Sequence, residues 1–295
     1  MHWLYRIAAT FVVSVALSVT VCPAAVATTS PAASVLVFTK TQPPSSAHAV
    51  TPEALNLLEM TARRYSFSID ATDDSNAFTA ENLDRYDVVM WLNTSGDVLN
   101  KKQRAAFIDW VARGGGFVGV HSAAMTHPNW KEYRDLIGAN VISDEDAMTS
   151  EENVAVDTGH AATDEVPDEI ESISDQWYSL DRNPGDQADT TVLATVDRGD
   201  DANQPVAWCR PYGDGRSWYT TMGHSLSTFE EGDYMNLLRG GIWWSADIQK
   251  APKVSTTSAP PQWPYMASFF ILVASVAVGG AVAVSRLNRR NDWNE

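Results

Sequence analysis

The sequence predicts an α/β protein in which a mostly parallel sheet is flanked by helices, with one C-terminal transmembrane helix beyond the folded part. Three observations predict it. Short, almost wholly apolar runs at Val35–Phe38, Asp87–Leu92 and Phe117–Val120 read as strands covered on both faces. Two segments with apolar residues at helical spacing lie between them, and strand–helix alternation of this kind is the signature of parallel strands joined by right-handed crossovers. Finally, Tyr265–Val284 carries no charged side chain.

The elements follow in order. Thr51-Pro52-Glu53 predicts a helix start, with Thr51 as the cap, a proline at the first helical position and an acid in the first turn. Leu55, Leu58, Ala62 and Tyr65 then form its inner stripe. Asn100 with Gln103 three residues on predicts a capping box. Phe107, Trp110 and Val111 line that second helix, and Gly114-Gly115-Gly116 ends it. The second half is less regular. Thr191–Thr195, Pro205–Cys209 and Ser217–Thr221 read as strands, Gly213-Asp214-Gly215 as the hairpin turn between the last two, and Tyr234–Trp244 as a closing helix.

The ends of the chain predict export and anchoring. Arg6, the apolar run Ile7–Val21 and the small-x-small site Ala25-Val26-Ala27 make residues 1–27 a signal peptide. A folded domain spans 34–247, and a Pro/Ser/Thr-rich stalk spans 248–264. The apolar segment 265–285 is about 20 residues long, enough to cross about 30 Å of hydrocarbon. Trp263 and Tyr265 flank it on one side and Arg286, Arg289 and Arg290 on the other. The domain is therefore expected outside the cell membrane and the tail 286–295 in the cytoplasm. Ser275, Gly279 and Ala283 form a small-residue stripe that would let two such helices pack as a homodimer.

A net charge of −16 argues against nucleic acid, whose phosphates an acidic surface repels. Of the two cysteines, only Cys209 outlasts removal of the signal peptide, so no intrachain disulfide forms. Cys209 lies in the apolar run Val206–Cys209 and reads as a core thiol.

Ligands of open parallel sheets bind beyond the carboxyl ends of the strands. Four strand ends here are polar: Thr39, Lys40 and Thr41 with His48 after the first, Asn93-Thr94-Ser95-Gly96-Asp97 after the second, His121-Ser122 after the third and Gly223-His224-Ser225 after the last. Histidines, an acid, an amide and hydroxyls gathered in this way predict a shared site.

Those same segments carry a resemblance. Thr39-Lys40-Thr41, Leu92–Leu99, Gly114–Ala124, His160–Thr163, Trp177-Tyr178 and Ala207–Arg210 through Gly223-His224 resemble the ThuA-like (trehalose-utilisation) family, in the same order and over nearly all of 34–247. The resemblance implies a flavodoxin-like, class I glutamine amidotransferase-like fold and a role in sugar metabolism. The family has Gly-Phe-Arg-His after the first Thr-Lys-Thr; here Gln42–Ala47 precede His48, and the arginine is lost. His127 stands where the family has acidic surroundings. The turn that holds the nucleophilic cysteine of amidotransferases carries Val120-His121-Ser122 instead, which excludes cysteine-dependent glutamine hydrolysis there.

The expected chemistry is acid/base work on a carbohydrate-type small molecule, a glycoside or keto-sugar, by hydrolysis or isomerisation. His121, His224 and Asp97 are the catalytic candidates. Lys40, His48, Asn93, Thr94, Ser122 and Trp177 are the substrate-binding ones. Trp130, Tyr178 and Trp218 are further stacking platforms, and Asp175 is the second acid of a two-carboxylate arrangement. Two alternatives stand beside this: a non-catalytic surface binding module, and a metal-dependent hydrolase with a divalent metal on His48, His121 and His224.

Overall fold

Strand alternation sorts the apolar residues to two faces, and both faces are covered. The computed structural model describes residues 31–43, 48–143, 149–198 and 201–248. In chain order the elements are β1 (Ala33–Phe38), α1 (Thr51–Tyr65), β2 (Phe67–Thr72), α2 (Ala80–Leu83), β3 (Val88–Leu92), α3 (Lys101–Ala112), β4 (Gly116–Val120), α4 (Lys131–Ile137), β5 (Val141–Ser143), β6 (Thr149–Val156), β7 (Glu169–Gln176), β8 (Ser179–Leu180), β9 (Thr191–Arg198), β10 (Asp201–Tyr212), β11 (Gly215–Thr220), α5 (Leu226–Glu230) and α6 (Gly232–Ser245).

Nine strands form one sheet in the order β2-β1-β3-β4-β11-β10-β9-β6-β7. From β2 to β11 every pairing is parallel. The expected mostly parallel α/β sheet is thus the half that runs from the β2 edge to β11. From β11 to β7 every pairing is antiparallel; the β10–β11 hairpin and β9 match expected strands, whereas β6 and β7 have no counterpart in the sequence reading. Because β2 and β3 lie on opposite sides of β1, the chain reverses direction across β1 and leaves a crevice at the strand ends there.

The period of two in the strands decides which helix meets which residue. Val35, Val37, Val88, Met90, Leu92, Val118 and Val120 face α1 and α6, packing with Leu58, Leu237, Leu238 and Ile242. Leu36, Phe38, Val89, Trp91 and Phe117 face α3 and α4, packing with Phe107, Trp110, Tyr133 and Leu136. This second face is an aromatic cluster: Trp91 stacks on Tyr133 with centroids 4.7 Å apart and on Phe107 at 5.2 Å. Such ring pairs contribute about 0.5–1.5 kcal/mol each beyond their burial.

Local expectations met mixed outcomes. The Asn100–Gln103 capping box is formed, with the Asn100 side chain accepting from the Gln103 N–H at 3.0 Å and the Gln103 side chain accepting from the Asn100 N–H at 2.8 Å. At α1 the cap is Val50, without a side-chain bond, and Thr51 is the first helical residue; Pro52 and Glu53 sit in the first turn as read. Strand β2 was not foreseen, because its Ser-Ile-Asp-Ala-Thr stretch is half exposed at the sheet edge and lacks an apolar run. Residues 1–27 and 265–295, and all but the first residue of the 248–264 stalk, lie outside the described residues, as does the dimer stripe. Among the described residues no helix is long and apolar enough to cross a membrane.

Candidate functional site

Register explains why the polar residues gather. Leu92 pairs with Val120, and Val120 with Thr220, so β3, β4 and β11 end level. The next residues out are Asn93, His121 and Thr221. The loop after β1 brings His48 to the same edge, and the loop after β11 brings His224.

The three imidazoles of His48, His121 and His224 meet. Their ring centroids lie 4.9 Å (48–121), 5.2 Å (48–224) and 5.2 Å (121–224) apart. One ligand nitrogen from each lies within 4.8 Å of the other two. His121 is fully buried and sits at a sharp turn with φ of 51°, and Asn93 has φ of 53° at the neighbouring strand end. Left-handed backbone at non-glycine residues costs about 1–3 kcal/mol and persists where the surroundings impose it, commonly at functional sites.

Those surroundings are visible. The Nδ1 of His121 lies 2.7 Å from the Thr221 carbonyl, which therefore accepts its proton. The Tyr178 ring stacks on the imidazole at 4.5 Å, its hydroxyl 2.7 Å from Nε2, and the Tyr219 hydroxyl donates to the His121 carbonyl at 2.6 Å. Burial holds the His121 imidazole well below its usual range; the Thr221 carbonyl pulls it back up, and the neighbouring His48 and His224 push it further down. It is neutral at neutral pH.

The turn carrying His224 hangs on Asp175 at the end of β7. Its buried carboxylate accepts the Gly223 N–H at 2.7 Å, the His224 N–H at 2.9 Å, the Thr228 hydroxyl at 2.7 Å and the Gln176 N–H at 2.7 Å. Burial raises the Asp175 pKa, and these four donors pull it back. Asn93 Nδ2 donates to the Gly223 carbonyl at 3.1 Å. Gly223 itself has φ of 121°, and a Cβ there would meet Val120 Cγ1 at 2.8 Å, so no other residue fits this turn.

Several buried polar atoms at these strand ends have no hydrogen-bond partner: Asn93 Oδ1, Ser95 Oγ, Ser122 Oγ and His224 Nδ1. Buried polar groups are normally paired, so each of these atoms keeps hydrogen-bonding capacity in reserve.

Other expected site residues lie elsewhere or act differently. Asp97 does not join the histidines; its exposed carboxylate pairs with His127 Nδ1 at 2.9 Å, because the Gly96–Leu99 turn faces that ring. His127 is buried, and its Nε2 accepts the Leu99 N–H at 2.9 Å. Trp177 is sealed in the core with its indole N–H donated to the Ser150 carbonyl at 3.1 Å, so it offers no stacking face. Trp130 and Trp218 are core as well. Thr94 is spent on structure, donating to the Phe38 carbonyl at 2.7 Å and accepting at its own carbonyl from Thr126 at 2.9 Å. Lys40 enters through its main chain, where its carbonyl accepts the Ser95 N–H at 3.3 Å. Cys209 is buried, 3.7 Å from His160 Nε2, and burial pushes its thiol up to about 12. Asp175, expected as the second acid of a two-carboxylate arrangement, is instead buried and organises the His224 turn. The signal for it was available: a polar Asp-Gln pair directly ahead of the aromatic Trp177-Tyr178.

The fold is a doubly wound α/β sheet with three imidazoles at the edge beside its switch point. The chain belongs to the trehalose-utilisation (ThuA) family, whose model matches residues 34–245. Among solved structures, a ThuA-like protein from Bacteroides uniformis ATCC 8492 is 24% identical with a TM-score of 0.63, covering 76% of this chain and 95% of the other. A ThuA-like protein from Parabacteroides merdae ATCC 43184 is 20% identical with a TM-score of 0.59, covering 79% and 94%. A β-galactosidase from Bacillus circulans sp. alkalophilus is 14% identical with a TM-score of 0.51, covering 74% of this chain but 32% of that one. At these identities the likeness is one of fold. No curated protein matches the sequence.

Proposed function

We propose that this ThuA-family domain binds and processes a sugar, a glycoside or keto-sugar, at the crevice where His48, His121 and His224 meet. The reading extends the expected flavodoxin-like, amidotransferase-like architecture, in which the strand ends serve the ligand, to a polyhydroxylated substrate. The observation that carries it is the set of orphaned buried atoms beside the imidazoles: Asn93 Oδ1, Ser122 Oγ and His224 Nδ1. Each unpaired buried polar group costs about 1–3 kcal/mol, and the vicinal hydroxyls of a sugar both donate and accept, so a polyhydroxylated ligand suits an edge with spare polar capacity. The imidazoles supply the acid–base capacity that hydrolysis or isomerisation needs. The trehalose-utilisation family to which the chain belongs supports the substrate class. Residues 1–27 and 265–285 are proposed to export the domain and anchor it outside the cell membrane, on the strength of their composition.

The full chain is titrated by calorimetry with disaccharides and their keto forms, and the products are analysed. Binding with turnover, lost in His224→Ala and in His121→Asn, is the expected result; asparagine is chosen at 121 because it tolerates the left-handed backbone there. Binding without product would make the domain a binding module instead. Absence of any sugar binding by a folded chain would remove the substrate class. Protease protection of the domain in intact cells would overturn the proposed outward topology.

A further inference from the structure

We propose that His48, His121 and His224 form a three-imidazole site for one divalent transition-metal ion of the zinc class. The inference deepens the sugar reading and rests on it only for the location of the crevice.

The donors come from three separate loops, after β1, β4 and β11, and no short sequence spacing links them, so sheet register alone creates the set. Their ligand nitrogens lie within 4.8 Å of one another. A tetrahedral ion with bonds of about 2.0–2.1 Å would hold them about 3.4 Å apart, a closing movement that loop-borne side chains can make. Three histidines with the remaining position open to water or substrate is the donor set of a catalytic rather than a structural zinc site.

The surroundings are of the kind that orient metal-bound imidazoles. A ligating histidine typically gives its other ring N–H to a carbonyl or carboxylate, which fixes the tautomer. His121 does this: Nδ1 faces the Thr221 carbonyl at 2.7 Å, which leaves the lone pair on Nε2. The Tyr178 hydroxyl, 2.7 Å away, donates to that lone pair, so an ion at Nε2 would displace this hydrogen bond. His224 has an unpartnered, buried Nδ1, and its main chain is fixed by Asp175.

The chemistry of the donors selects the ion. Magnesium and calcium take oxygen ligands, whereas the buried Asp175 carboxylate that holds the His224 turn is spent on the backbone and on Thr228. Imidazole nitrogen suits zinc and its transition-metal neighbours. With an ion bound, His121 and His224 would serve as its ligands, and the ion would supply Lewis-acid and water-activating chemistry in place of their acid–base role.

The full chain, stripped with chelator and dialysed, is titrated with Co²⁺ as a visible-absorbing probe and then with Zn²⁺. The expected result is one Co²⁺ per chain with ligand-field bands, displaced by Zn²⁺. His48→Ala and His224→Ala should each weaken binding by about 100-fold or more, with far-UV circular dichroism unchanged. His160→Ala, a histidine outside the cluster, should bind like the parent. No stoichiometric Co²⁺ or Zn²⁺ binding, or binding unaltered in folded His48→Ala and His224→Ala, overturns the site. The outcome is separable from the sugar reading. Metal without sugar binding sinks only the substrate, and sugar without metal binding sinks only the metal.

Discussion

Asp175 and His224 are joined through the main chain: the buried carboxylate accepts the His224 N–H at 2.9 Å, not the imidazole. An acid that the eye would assign to catalysis is thereby committed to holding a turn. Asp175→Ala would leave the Gly223 and His224 N–H groups and the Thr228 hydroxyl buried and unpaired. The expected loss is about 3–5 kcal/mol, read as a fall in urea midpoint. If the variant unfolds at the parent midpoint, the carboxylate is not the organiser.

Asp97 is the opposite case. Its carboxylate is 81% exposed and pairs with His127, so Asp97→Asn should cost less than about 1 kcal/mol and leave the proposed sugar turnover within about two-fold of the parent. A large fall in turnover at unchanged stability would return Asp97 to the active centre.

His127 and His160 are both held below their usual range by burial, with Asp97 acting against the shift at His127 and Asp157 and Asp164 against it at His160; Arg104 reinforces it at His127. As the pH falls below about 6.5, the unfolded chain takes up these protons before the folded one does. Stability is therefore full above that pH and declines below it. Denaturation midpoints between pH 8 and pH 5 should show the decline, and His127→Asn should make it shallower. An equal decline in that variant would rule His127 out as a contributor.

Cys209 should resist alkylation in the native protein at pH 8, since burial pushes its thiol up to about 12, and should react fully once denaturant is added. Rapid native labelling, measured by mass spectrometry, would show that the β10 surface opens.

Trp91 is fully buried between Phe107 and Tyr133, with Phe38 and Phe78 at its edges. Trp91→Ala should lose about 3–5 kcal/mol through the cavity it leaves. Trp177→Phe should lose less, because it keeps most of the ring while orphaning only the Ser150 carbonyl, and it should leave sugar binding intact. Loss of sugar binding in a stable Trp177→Phe chain would contradict its core placement.

The legibility of the molecule divides by physical cause. Buried parallel strands need apolar side chains on both faces, so β1, β3 and β4 announce themselves as runs. The Asn100–Gln103 box is local chemistry and is readable for the same reason. Edge strand β2 and the antiparallel β6 and β7 alternate or mix polar and apolar residues, so no run marks them. His48, His121, His224 and Asn93 were found because strand ends of a parallel sheet share one edge, a rule that needs only topology. Trp177 was misread because an aromatic residue beside a polar stretch looks alike in the sequence whether its face is open or sealed.

By itself, then, the sequence determined the α/β class, the ThuA family and the edge at which polar residues collect, because strand patterning and loop order are properties of the chain read in one dimension. Tertiary structure decided which of those residues meet. The level ends of β3, β4 and β11 bring three imidazoles from distant loops within reach of one another, while Asp97 is drawn to His127 and Asp175 to the backbone of the His224 turn. Partnership among side chains depends on direction and burial, and those exist only once the sheet has formed.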